Sequence, residues 1–304
     1  MDGIINVLKP PGMSSHQVVA FLRRTLGIKR VGHTGTLDPG AVGVLPICVG
    51  KGTRIASFFL EEDKTYVAEL TLGIATDTQD ASGNTTDFNL DFAISPGRFA
   101  DILSGFLGEI EQVPPMASAV RVQGKRLYEL ARQGKAIDRP ARKVKIHEIH
   151  VNKIWPETED ELRFGSRVLL EINCSKGTYI RTLCHDIGTR LGVGAHMSFL
   201  ARTVSGPFKQ EEAFTLEEIE TMVANEDYSF ITSIQDVLSD WQKIIVSGEG
   251  ERRILNGNYI DFDLPDNLVV GSQVLIVNEA DHLLAIGEIQ NRGKLVCQPI
   301  KVFG

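Results

Sequence analysis

Cysteine is scarce in this chain: Cys48, Cys174, Cys184 and Cys297 are the only four, and no two lie close together. That spacing excludes a disulfide framework and a zinc site of paired cysteines, and it predicts reduced thiols in a cytoplasmic protein. The nearest thing to a metal cluster is Cys184-His185-Asp186, and adjacent residues on a helix point in different directions. No apolar run approaches the ~20 residues that cross a bilayer. The N-terminus lacks a charged-then-apolar signal pattern, so no membrane is expected. No glycine-rich phosphate loop of the Walker type occurs, which leaves phosphoryl transfer without its usual cradle. Basic residues are outnumbered, 32 against 39, for a net charge of −7. Taken whole, that balance argues against a nucleic-acid partner.

Its distribution argues the other way. Residues 1–60 hold seven Lys/Arg and two acidic residues, residues 121–153 hold ten and three, and residues 208–240 hold one and nine. The acidic excess is concentrated in one stretch, and salt screens it from the basic ones over about 10 Å. Local clusters of Lys and Arg attract phosphates regardless of the total. With 42% hydrophobic residues in 304, the chain can build two globular cores.

The most informative stretch is Gly32-His33-Thr34-Gly35-Thr36-Leu37-Asp38-Pro39-Gly40-Ala41-Val42-Gly43, one carboxylate and one imidazole among four glycines. Glycines let another molecule's backbone approach closely. Taken alone, Asp-Pro-Gly would read as a simple turn. The whole segment resembles the catalytic loop of the tRNA pseudouridine-55 synthases, the TruB-type branch of the pseudouridine synthases. Further blocks follow in the family's order: Val7 to Ser15, Lys64-Thr65-Tyr66, Val113-Pro114-Pro115-Met116 with Gly124 to Tyr128, and Cys174 to Thr182. Gly40, Val42 and Ala117 depart from the family pattern, where Leu, Thr and Tyr are usual. None of the three carries reactive chemistry.

The resemblance implies isomerisation of a uridine in the T loop of tRNA, position 55, to pseudouridine. Asp38 is then the nucleophile, and a carboxylate can split such a reaction into two covalent steps. Arg181 becomes its ion partner, and Tyr66 a stacking surface whose hydroxyl could take the last proton. Tyr179 and Leu200 become walls of the uracil pocket, and His33 a filler or stacking partner for the flipped nucleotide. Lys9 supports either the loop or the RNA backbone. Lys125, Arg126 and Arg132, within an insertion at about 113–145, are expected to grip phosphates. The resemblance implies no cofactor, no metal, no obligatory protein partner, a monomer, and the tRNA T arm as partner. Two other readings stay open: an Asp-dependent RNA nucleosidase or hydrolase, and a non-catalytic tRNA-binding or folding module.

Helices are expected at 14–25, capped by Ser14-Ser15, at Thr53–Leu60, capped by Thr53, at 98–107, from about Thr178, and at Phe214–Ala224. Strands are expected at Val44–Val49, Tyr66–Leu72, Lys143–Ile154 and Arg167–Asn173, with a polar loop over Asp77–Asn84. This irregular mixture predicts an α+β fold with a largely antiparallel central sheet flanked by helices. A boundary near 240 separates a catalytic unit, 1–240, from 241–304. Closely spaced strands in the latter, at Lys243–Ser247, Tyr259–Phe262, Gln273–Val277, Leu284–Ile289 and Leu295–Val302, predict a small barrel or sandwich. The turn Arg252–Gly257 resembles that of a PUA domain, an RNA-binding barrel.

Overall fold

The computed structural model describes every residue except 117, 119–120, 123–124, 127–136, 158–159, 262–263 and 266, with backbone alone for 121–122 and 125–126. In chain order the strands are β1 Gly3–Lys9, β2 Val31–His33, β3 Val42–Val49, β4 Lys64–Leu72, β5 Ile74–Thr76, β6 Thr85–Phe88, β7 Gly108–Gln112, β8 Arg121–Val122, β9 Lys125–Arg126, β10 Arg142–Trp155, β11 Arg167–Cys174, β12 Ala195–Ser205, β13 Phe208–Lys209, β14 Ile231–Thr232, β15 Lys243–Val246, β16 Gln273–Asn278, β17 Leu283–Asn291 and β18 Leu295–Val302. The main sheet runs β14-β1-β3-β12-β4-β11-β10-β7, with β2 on β3 and β13 on β12. Every pairing in it is antiparallel except β12 with β3. The expected α+β architecture is present.

β3 reads as an unbroken apolar run, and β1 as one interrupted by Asn6, because both faces of each strand are covered. Ile5, Val7, Leu45, Ile47 and Val49 join the large core, packed with Val18 and Leu22 of the helix Ser15–Thr25 and Leu183 and Ile187 of the helix Ile180–Leu191. Ile4, Val44 and Cys48, one residue out of phase, face the opposite core, which they share with Leu275 and Ile286 of the C-terminal sheet and with Phe303 just beyond it. Alternation of side chains across a strand thus welds the two units through one pair of strands. Lys51 Nζ donates to the Phe303 carbonyl and Arg54 to the Val302 carbonyl, reinforcing the seam.

The first helix begins at the expected serine, and its capping box is complete: Ser14 Oγ accepts from Gln17 N at 3.2 Å and Gln17 Oε1 accepts from Ser14 N at 2.7 Å. Thr215 and Glu218 form the same box ahead of the helix Leu216–Ala224. Three expectations are corrected. Thr53 caps nothing: it lies inside a 3₁₀ turn, Gly50–Ile55, its hydroxyl bonded back to the Gly50 carbonyl at 2.8 Å, and the α-helix starts only at Ala56. The stretch at Tyr259 contributes a single bridge, Ile260 to Cys297, and Phe262 lies outside the described residues. Arg252 to Leu255 form the end of a helix, Gly248–Leu255, with only Asn256 and Gly257 turning. The C-terminal unit is this helix on a four-stranded sheet, β15-β16-β17-β18. All four cysteines are buried and free, as the spacing predicts.

Candidate active site

The loop between β2 and β3 is fixed from below before any reactive group is considered. Ser15, with no exposed surface, clasps Leu37 on both sides: its hydroxyl accepts from Leu37 N at 2.9 Å and donates to Leu37 O at 3.1 Å. Gly12 N donates to the Pro39 carbonyl at 2.8 Å. Lys9 is fully buried, and its ammonium donates to Pro10 O at 2.8 Å, Met13 O at 2.7 Å and Pro39 O at 3.2 Å. Burial pushes its pKa down to about 8, against the pull of Asp38. Of the two roles expected for Lys9, loop support is the one these three carbonyl contacts serve directly. Gly43 closes the loop with φ +105°, and a Cβ there would come within 2.2 Å of the Arg202 carbonyl. The parallel pairing of β12 with β3, Arg202 opposite Gly43, demands that close approach.

Asp38 and Arg181, 143 residues apart, meet in a two-point pair. Arg181 Nε lies 2.9 Å from Asp38 Oδ2 and its Nη2 3.3 Å from Oδ1. Arg181 sits at the start of the helix Ile180–Leu191 with 5% of its side chain exposed, whereas Asp38 keeps 37%. The turn before that helix is itself clamped: Gln112 accepts from Tyr179 N at 3.0 Å and donates to Tyr179 O at 3.2 Å. Burial raises the pKa of Asp38 above the ordinary carboxylate value, with Arg181 opposing and Asp80 reinforcing the rise.

Asp80 is the residue sequence reasoning passed over. Its Oδ2 lies 3.3 Å from Arg181 Nη1, which also donates to the Thr78 carbonyl at 3.3 Å. Burial opposes ionisation of Asp80, but hydrogen bonds from Ser82 and Thr78 and the Arg181 charge bring its pKa below the usual value. The loop carrying it is tied to β12 on both sides, Met197 N to Gln79 O and Ala81 N to Met197 O, each at 3.0 Å. Arg181 is therefore held from behind by one carboxylate and presents its remaining edge to the other.

Asp38, Tyr66, Tyr179, Arg181 and Leu200 line one cavity of about 270 Å³, together with Thr34, Lys64, Ser118 and Arg202. That volume is at the small end for ligand sites and suits a single base. Tyr66 stands opposite Arg202 in the β4–β12 register. Burial pushes the Tyr66 pKa up, with Arg202 pulling the other way, so the hydroxyl stays protonated near neutrality. Lys64 is buried, its ammonium given to the carbonyls of Phe59, Leu60 and Glu62, and burial brings its pKa down to about 8. Neither buried cation was singled out from the sequence.

His33 does not line the cavity. It lies on β2 against His16, ring centroids 5.2 Å apart and edge to face, and burial first, then His16, lowers its pKa. Lys125 and Arg126 form β9, paired with β8 in a short hairpin, whereas Arg132 lies outside the described residues. Among the described residues no group of three His, Cys, Asp or Glu could hold a metal, and no helix is long and apolar enough to cross a membrane.

Residues 23–180 match the TruB family pseudouridylate synthase N-terminal domain, and residues 181–244 the tRNA pseudouridylate synthase B C-terminal domain. The junction of the two matches falls within the helix that carries Arg181. Curated relatives include tRNA pseudouridine synthase B of Symbiobacterium thermophilum, 49% identical over 84% of this chain and 82% of the relative. The same-named protein of Pelotomaculum thermopropionicum is 42% identical over 100% of this chain and 97% of its own length. Among solved structures, one of an H/ACA RNP bound to a substrate RNA containing 2′-deoxyuridine aligns with a TM-score of 0.73 at 27% identity, covering 99% of this chain and 85% of that one. The chain belongs to the TruB family of pseudouridylate synthases.

Proposed function

We propose that this protein converts a uridine of tRNA to pseudouridine, acting on the T loop at position 55, with Asp38 as the attacking group. The observation that carries the reading is the two-point Arg181–Asp38 pair on the wall of a base-sized cavity. The reaction breaks the bond from ribose C1′ to base N1, turns the base, bonds C5 to the same C1′ and releases the C5 proton. It therefore needs a covalent anchor, a pocket that keeps the detached base, and an acceptor for one proton. Asp38 supplies the anchor. Arg181 keeps it ionised and directed despite its partial burial, through two charge-assisted hydrogen bonds. Tyr66 stacks on the base, Tyr179 and Leu200 wall it off from water, and the protonated Tyr66 hydroxyl relays the C5 proton, passing its own proton to solvent as it accepts.

The nucleotide must leave its loop to reach this cavity, at a cost of a few kcal/mol. His33, outside the cavity and ending the strand that leads into the same loop, fits a place beneath the extruded nucleotide. Lys125, Arg126 and Arg132 in the insertion fit a phosphate grip, and residues 241–304 a PUA-like RNA-binding unit appended to a catalytic unit at 1–240. The protein works as a monomer in the cytoplasm, with tRNA as its partner and no membrane or protein partner required. An RNA nucleosidase with the same anchor would release uracil instead of retaining it. A binding-only module has no use for an intact Asp38–Arg181–Asp80 arrangement. Incubation with tRNA tritiated at uridine C5 tests the reading: one tritium per tRNA should pass to water with no free uracil. Liberated uracil, or no release at all, overturns it.

A further inference from the structure

The cavity at Asp38, about 270 Å³, has room for a base but not for the chain that carries it. A nucleotide extruded into it stays joined to its neighbours through two phosphates, and these must lie on the rim. The cations that line the cavity do not reach them: Lys64, Arg181 and Arg202 are all buried, and each already serves acceptors within the protein. The rim offers Lys176. The chain entering β4 and the chain leaving β11 run side by side, Lys64 opposite Cys174. Both border the cavity, the first through Leu60 and the second through Gly177 and Thr178. Glu61 follows Leu60, Lys176 precedes Gly177, and the two side chains form an ion pair between the segments.

The side chains of Lys176 and Glu61 are 53% and 64% exposed, so their pairing adds little to the fold. The turn carrying Lys176 is nonetheless fixed. Ser175 N donates to Lys145 O, Lys145 N donates to Ser175 Oγ, and Thr178 Oγ1 donates to Ser175 O, each at 2.8 Å. Asp63, two residues beyond Glu61, makes a second such pair, its Oδ2 3.1 Å from His147 Nε2. Carboxylates at the entrance to a site for a polyanion oppose binding unless they give way. We infer that Lys176 takes a phosphate flanking the extruded nucleotide, and that Glu61 holds that place in the free protein until RNA displaces it. This inference rests on the reading of the cavity as a uridine site. The ammonium exchanges one anion for another, and release of counterions condensed on the RNA favours the phosphate.

Full-length tRNA is assembled with the phosphates 5′ and 3′ of the target uridine intact, or with either one replaced by a neutral methylphosphonate. Its Kd is measured over a range of salt for the parent, Lys176→Gln, Glu61→Gln, Glu62→Gln and the Glu61→Gln/Lys176→Gln double variant. Lys176→Gln should weaken binding of intact tRNA and reduce the salt slope by about one unit, and this penalty should vanish with one of the two methylphosphonates. Glu61→Gln should tighten binding about 2–5-fold, the scale of an exposed ion pair. The same charge removed at Glu62, or at Glu61 in the Lys176→Gln background, should leave Kd nearly unchanged. An unaltered Kd for Glu61→Gln, equal tightening with and without Lys176, or a Lys176→Gln penalty that survives both methylphosphonates overturns the inference. A parent that binds intact tRNA yet forms no pseudouridine in it instead overturns the functional reading beneath it.

Discussion

Replacing Arg181 by Met removes the charge while keeping an apolar stem in the buried slot. The lost contacts include the two hydrogen bonds to Asp38, at 2.9 and 3.3 Å, and the contacts to Asp80 and Thr78, each at 3.3 Å. A charge-assisted bond of this type contributes roughly 1.5–3 kcal/mol when desolvated. Asp38 keeps 37% of its surface in water, so the lower end applies and solvent screening reduces it further. Two such bonds then correspond to about 10–10²-fold in kcat at neutral pH, while KM for tRNA stays within about threefold because phosphate contacts lie elsewhere. The sign of the pH effect follows from the burial-raised pKa of Asp38, against which Arg181 is the main opposing influence. Turnover requires the carboxylate, so the acidic limb of the parent's kcat–pH profile lies above the ordinary Asp value. Without Arg181 the limb moves to higher pH and part of the lost activity returns as pH rises. Asp80→Asn works in the opposite direction on the limb, because the Asp80 charge raises the Asp38 pKa. It should still lower kcat, since Arg181 is no longer held from behind. Stopped-flow single-turnover rates across pH provide the assay. An Arg181→Met profile with an unmoved limb and the same fractional loss at every pH refutes the electrostatic role.

Asp38→Asn should abolish turnover while tRNA affinity, read by filter binding, stays within about tenfold. It should also melt no lower than the parent at pH 7: a carboxyl with a raised folded-state pKa holds more protons folded, so its ionisation costs stability as pH rises through that window. Gly43→Ala should unfold the loop and cost several kcal/mol by calorimetry, since its Cβ would meet the Arg202 carbonyl at 2.2 Å with φ at +105°. Tyr66→Phe should bind tRNA normally yet lose about 10²-fold or more in product release, whereas Tyr66→Leu should also weaken capture of the flipped base; a Phe variant at parental single-turnover rates leaves stacking alone. Replacing Lys125, Arg126 and Arg132 together by Gln should reduce the salt slope of tRNA binding by up to about one unit per lost phosphate contact, and an unchanged slope shows that they face solvent.

What could be read from the chain and what could not divide along one physical line. Asp38, Arg181, Tyr66 and Tyr179 sit in blocks whose local pattern is distinctive, Leu200 is placed only by the family resemblance, and all five do line one cavity. The helix caps at Ser14 and Thr215 were legible because capping is decided within four residues. Asp80 was not, because Asp77–Asn84 is polar throughout, and only the bridge to Met197 brings one of its carboxylates to Arg181. Arg202 and Lys64 were missed for a similar reason. A cation in a strand reads as solvent-facing until carbonyls converge on it, as that of Val44, 158 residues away, does on Arg202 and that of Phe59, in the short helix just before the strand, does on Lys64. Lys9 was ambiguous between loop and RNA for the same cause, its three acceptors including Pro39, thirty residues away. The expected Thr53 cap failed because its hydroxyl is bonded back to Gly50.

The most direct test of the account is to incubate the protein with an unmodified tRNA transcript and map pseudouridine at nucleotide resolution by carbodiimide labelling and primer extension. A single new stop in the T loop, at position 55, absent with Asp38→Asn, is the result expected. Labelling elsewhere only, an abasic site at the target, or an unaltered transcript would contradict it.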